Sequence, residues 1–208
     1  SDNHKKSPIS WVPTAYFAMG LPFVVLNMVT VLMFKGLEVD DKLITFWTSL
    51  ILLPWTLKPL WSPFLELFRT KKFFVIVTQL ITGVTFGLVA FALNLSHFFS
   101  ISIALLAIVA FSGATHDIAC DGVYMSELSN EDQAKFIGWQ GAFYNIAKIL
   151  ATGGLVYLAG YFIELNADAG LLTANKRAWM IILLILSVTM ILLGIYHLFA
   201  LPSTQSAS

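Results

Sequence analysis

The chain has 208 residues, 58% of them hydrophobic and only 12% charged, with 12 basic side chains balancing 12 acidic ones. A soluble domain carries about 45–50% apolar and about 25% charged residues, so this composition excludes an ordinary water-soluble globule, and zero net charge offers nothing to a nucleic-acid partner. A single cysteine, Cys120, provides neither a disulfide framework nor a cysteine metal site.

At about 20 apolar residues per membrane passage, the length holds six spans with short loops and no globular domain. A polar leader, 1–10, precedes the first apolar stretch, which is too long for the core of a cleaved signal peptide. The first span is expected at 11–34, closing at Lys35-Gly36, and the second at 43–60, stopping near Ser62-Pro63. Prolines 13, 22, 54 and 59 should kink these two. The third, 73–93, holds no charge. The fourth, 98–124, carries His116, Asp117 and Asp121, and the fifth, 136–163, carries Lys148. The sixth runs over 178–201, before a polar tail, 202–208. Because the chain starts at Ser1 rather than Met, a truncated or split protein is expected. Only helices are expected, since stretches of 18 or more residues without alternation do not make a barrel. Lys5, Lys6, Arg69, Lys71, Lys72 and Lys135 on one side outnumber Lys35, Lys42, Lys176 and Arg177 on the other, which orients the N-terminus inside.

Ionisable groups within apolar spans are costly, about 2.5–3.5 kcal/mol each at the bilayer centre, and mark cavities or partners. Asp117 and Asp121, four residues apart, share one face of span four with Gly113 and Tyr124, and His116 sits at its edge. Two carboxylates this close cannot both ionise easily, so one is expected to hold a proton near neutral pH, as a proton-coupled carrier requires. The plainer alternative is a static structural pair. Lys148, on a polar stripe with Gly141, Asn145 and Thr152, is the expected counter-ion, whereas Lys58 is expected to snorkel toward the cytoplasm. In span one, Tyr16, Gly20, Asn27 and Thr30 fall within about 80° on a helical wheel, which suits either a cavity lining or close helix contact. Spans three and six, without Asp, Glu, Lys or Arg, read as lipid-facing walls, and spans one, two, four and five as the lining. Two successive triplets of this kind fit a three-plus-three repeat.

The stretch Trp55 to Glu66, with Lys58-x-Leu60-Trp61-Ser62-Pro63 followed by Arg69, Lys71 and Lys72, resembles the loop between spans two and three of major facilitator transporters. More narrowly it is similar to the muropeptide permease (AmpG-like) and acetyl-CoA transporter branch, as are His116-Asp117-Ile118-Ala119-Cys120-Asp121-Gly122 and Thr152-Gly153-Gly154. His116 replaces the branch's glutamine, Leu67 an arginine, Lys148 a small residue and Ile146 a basic one. The resemblance implies the N-terminal six-helix half of a twelve-helix proton-coupled symporter in a bacterial inner membrane, importing peptidoglycan-derived amino sugars or muropeptides. Its partners would be the bilayer, a small solute, a proton and a C-terminal six-helix half, with no cofactor. Of the polar site residues, the resemblance best matches Asp117 and Asp121; together with His116 and Lys148, taken from their own places in spans four and five, they are expected to handle proton and substrate. The cavity would be lined by Tyr16, Gly20, Asn27, Thr30, Tyr124, Asn145 and Thr152, and Lys58, Glu66, Arg69, Lys71 and Lys72 would form a gating loop. An acyl-CoA or drug carrier of the same superfamily, or a non-transporting assembly subunit, are the alternatives. An enzyme is not expected: Asp121-Gly122 lacks the following Ala-Arg of membrane phosphotransferases, and no zinc-binding His-Glu-x-x-His occurs.

Overall fold

The computed structural model describes residues 6–203; the first five residues of the leader, Lys5 among them, and the last five of the tail lie outside. Every element among the described residues is helical. In chain order, α1 (Pro8–Gly36) is long and apolar enough to cross a membrane. Three short helices follow, α2 (Asp41–Ile51), α3 (Leu53–Thr56) and α4 (Ser62–Leu65). Four more helices of membrane-crossing length complete the chain: α5 (Lys71–Ala92), α6 (Phe98–Glu127), α7 (Asn130–Leu165) and α8 (Leu171–Ala200). These five long apolar helices make the chain a multi-pass, all-helical membrane protein.

Local chemistry sets the boundaries. Asp40, Thr70 and Ser129 each turn a side-chain oxygen back onto an amide of the first turn, those of Lys42, Phe73 and Asp132 respectively, satisfying donors that a helix start leaves open. Gly170 enters α8 at φ 91°, a conformation that an L side chain resists. Inside the spans, the hydroxyls of Thr30, Thr48, Thr78, Thr85, Thr152 and Thr189 bond the carbonyl four residues earlier, so these six hydroxyls satisfy their own hydrogens within the helix. Two π turns interrupt the long helices: Val25–Val29, just after Pro22 in α1, and Leu150–Leu155 in α7.

The expected second span differs from its reading as one kinked helix. Pro54, Pro59 and Pro63 each lack the amide a continuing helix needs, and the segment falls into α2, α3, a 3-10 turn at Lys58–Leu60, and α4. It still carries the chain from one end of the bundle to the other. Lys6 and Lys72 donate to the carbonyls of Phe199 and Leu201 at the end of α8, whereas Gly36 packs on Asn175 near its start. At 1.5 Å per residue, Asn175 and Leu201 stand roughly 39 Å apart.

Small residues set the tightest contacts, as in membrane bundles generally. A Cβ at Gly83 would lie 2.7 Å from Ile191 Cγ1 and 3.0 Å from the Ser187 carbonyl, joining α5 to α8. At Gly20 it would lie 2.9 Å from the Tyr144 carbonyl, joining α1 to α7. Gly83→Val should therefore lower thermal stability in lipid by about 1–3 kcal/mol; an unshifted melting curve would mean that the α5–α8 contact is looser than described. α5 and α8 pair with each other, and each also keeps exposed apolar side chains, Val84, Leu88 and Phe91 on the one and Val188, Leu192 and Ile195 on the other. Their pairing leaves room for the expected lipid-facing role of spans three and six. The apolar window of α5 is 56% buried and that of α7 only 17%, so α7 is the helix left bare.

Candidate functional site

Two tryptophans pin the interrupted segment against α6. The Trp55 ring lies on Gly113, where a Cβ would be 2.5 Å from Cζ2, and Phe23 meets the same ring edge-on at 5.2 Å. Six residues on, Trp61 Nε1 donates to Thr115 Oγ1 at 3.2 Å. Between them Lys58 occupies the 3-10 turn, and its Nζ stands 3.8 Å from Asp117 Oδ2. Asp117 is only 8% exposed, and Lys148 reaches no carboxylate among the described residues. Lys58 thus takes the counter-ion place expected of Lys148, and the snorkelling reading of Lys58 is corrected. The proline-rich break is what allows this, since it directs the lysine at α6 rather than along a helix axis. With the Lys58 side chain 34% exposed, the pair should be worth about 1 kcal/mol. A double-mutant cycle of Lys58→Met and Asp117→Asn read by thermal unfolding tests this; strictly additive losses would mean that the two do not interact.

The two aspartates share a face but not a partner. Asp121 is exposed and accepts a hydrogen bond from Tyr16 Oη at 2.8 Å. Gln140 Nε2 donates to the same Tyr16 oxygen at 3.1 Å, and Tyr124 meets the Tyr16 ring edge-on at 5.9 Å. Asp121 therefore ties α1, α6 and α7 together, while Asp117 ties α6 to the interrupted segment. The expected carboxylate pair is two neighbouring sites. Gln140 escaped the sequence reading because it sits among the polar residues at the start of α7, where nothing distinguishes it.

Behind Asp117 runs a buried polar row that sequence reading also missed. His116, 3% exposed, lies beside it on α6, its Nδ1 3.7 Å from Asp117 Oδ1. Gln79 Nε2 donates to His116 Nε2 at 2.8 Å, and Gln79 Oε1 accepts from His197 Nδ1 at 2.7 Å. His197 Nε2 meets Thr14 Oγ1 at 2.8 Å. Gln79 and His197 are fully buried, on the two spans expected to be bland. A search for Asp, Glu, Lys and Arg passes over them; the same cost argument applied to Gln and His in hydrocarbon would have found both.

The remaining expected residues are dispersed. Lys148 is exposed near the middle of α7 and pairs with no carboxylate among the described residues; Asn145 is exposed on the same helix. Of the span-one face, Tyr16, Gly20 and Thr30 are buried in helix contacts, and only Asn27 is exposed. Asn27 and Thr152, one from each π turn, line a cavity of about 320 Å³. In the loop cluster, Glu66 and Lys71 line a second one of about 270 Å³, and the Lys71 stem crosses Gly122, where a Cβ would sit 2.6 Å from Cδ. Arg69 lies over the Phe73 ring at 5.4 Å, and Lys72 caps α8 through Leu201. Compared with protein-family models and with curated proteins, the sequence matches none of them.

Proposed function

We propose that the chain is the N-terminal six-helix half of a proton-coupled solute carrier of the major facilitator type, working in a bacterial cytoplasmic membrane with its N-terminus inside. One observation carries this reading: a nearly buried intramembrane carboxylate, Asp117, held opposite Lys58 on an interrupted helix. Ionisable groups inside a membrane mark substrate or ion pathways, and broken helices place such groups at the sites of carriers. In this reading the segment between α1 and α5 is the second of six passages. Lys148 and the bare face of α7, where Gly138, Gly141, Gly153 and Gly160 have open space around them, turn toward a C-terminal six-helix half across the cargo cavity. The cargo class, peptidoglycan-derived amino sugars or muropeptides, follows from the resemblance of the Lys58–Pro63 and His116–Gly122 stretches to the permease branch. Vesicles carrying the complete carrier should accumulate a labelled disaccharide-peptide under an imposed proton gradient and release it when a protonophore is added. Preference for an acyl-CoA or a drug over that cargo would reassign the substrate. Absence of uptake of any of the three, with Asp117→Asn plus Asp121→Asn tolerated, would point to an assembly subunit instead.

A further inference from the structure

The row Thr14–His197–Gln79–His116 crosses four helices and leads away from the site at Asp117 to the contact between α1 and α8. Its centre is a carboxamide, which has one end that only donates and one that only accepts. As placed, its Nε2 faces His116 and its Oε1 faces His197. His116 therefore presents a lone pair at Nε2 and His197 a proton at Nδ1. If His116 carries a proton on Nε2, the amide must turn over, and His197 Nδ1 must then present a lone pair. Both rings cannot offer a proton to Gln79 at once, because the second would face an N–H in a buried place where an unsatisfied donor costs about 1–3 kcal/mol.

The outer ends of the row can serve either state. With His197 protonated on Nδ1 alone, Thr14 can donate to His197 Nε2; with the proton on Nε2, Thr14 accepts it and turns its own hydrogen to the Trp11 carbonyl at 3.2 Å. At the other end, His116 Nδ1 faces Asp117, itself opposite Lys58. The other titratable groups against the row among the described residues are Tyr196, whose ring meets that of His197 at 5.4 Å and whose hydroxyl donates to the Ser10 carbonyl, and Asp121, Cys120 and Tyr144, which lie within electrostatic reach of Asp117.

We propose that Gln79 makes the proton positions of His116 and His197 mutually exclusive, so that protonation at the Asp117–His116 pair is read out at the Thr14–His197 contact between α1 and α8. His116 takes one proton from solvent at Nε2 and becomes imidazolium, while His197 stays neutral by losing its Nδ1 proton and gaining one at Nε2, so the row binds one proton in net. The two helix ends that Thr14 and His197 join are thereby linked to the charge state of α6.

The test is nitrogen magnetic resonance on the protein in lipid, with its four histidines labelled in the ring and assigned through His116→Asn and His197→Asn. Across about pH 5–8, the range in which histidine titrates, His116 Nε2 and His197 Nδ1 should never both be protonated, and one ring at most should become imidazolium. Gln79→Glu, which offers an acceptor to each ring, should allow both. Two imidazolium rings in the unmodified protein would overturn the proposal, as would unchanged ring signals in Gln79→Glu. Should that variant fail to insert, the unmodified spectra decide alone. No cargo is needed, so the outcome is independent of the carrier reading.

Discussion

Asp117→Asn is expected to abolish concentrative uptake, lowering accumulation under a proton gradient by about tenfold or more, which corresponds to about 1.4 kcal/mol. The amide has nearly the size of the carboxyl and still offers Lys58 an oxygen, so the packing of α6 on the interrupted segment should survive. It removes a charge that costs about 2.5–3.5 kcal/mol inside a bilayer, so insertion should not suffer. What it cannot do is bind and release a proton. Facilitated exchange of cargo down its own gradient should therefore persist while accumulation is lost. If the variant concentrates cargo like the parent, the proton does not pass through Asp117.

Gly113→Ala should be the most damaging of the single-methyl changes at the site. The added Cβ would lie 2.5 Å from Trp55 Cζ2 and 3.3 Å from Cε2 and Cη2, against a rigid ring that Phe23 also touches. Overpacking of this kind costs about 1–3 kcal/mol. Because Trp55 and Trp61 together hold Lys58 over Asp117, uptake should fall along with stability. Trp55→Leu in the same chain should restore much of both: it vacates the ring plane, and the Trp55 Nε1 it removes bonds nothing among the described residues. Failure of the second substitution to recover stability would mean that the Trp55–Gly113 contact does not set the position of the segment.

The all-helical membrane class was legible because it follows from composition and from unbroken apolar runs, both one-dimensional properties. So was the i, i+4 placement of Asp117 and Asp121, which any helix enforces. Partnership was not. Lys58 and Lys148 both lie in apolar surroundings, and nothing in their spacing tells which one meets Asp117; that choice depends on how Pro54, Pro59 and Pro63 divide the second segment. A proline marks a defect in a helix but not whether the helix bends or breaks. Gln79 and His197 stayed hidden for a different reason. Each is a lone neutral polar residue in a greasy span, and their meaning appears only when α5 and α8 pack closely enough to bring them within 2.7 Å. The polar face expected on α1 divides similarly. Gly20 serves close approach to α7, Thr30 satisfies its own helix, and Tyr16 serves Asp121.

In the proposed carrier, cargo and proton move together through the site at Asp117. Internal pH is the most direct readout: liposomes holding the complete carrier and a trapped pH-sensitive dye receive a disaccharide-peptide outside, with no proton gradient imposed beforehand. Symport predicts that the interior acidifies as cargo enters, and that the Asp117→Asn carrier admits cargo without the pH change. Entry of cargo into liposomes of the unmodified carrier with the interior pH unmoved would contradict it.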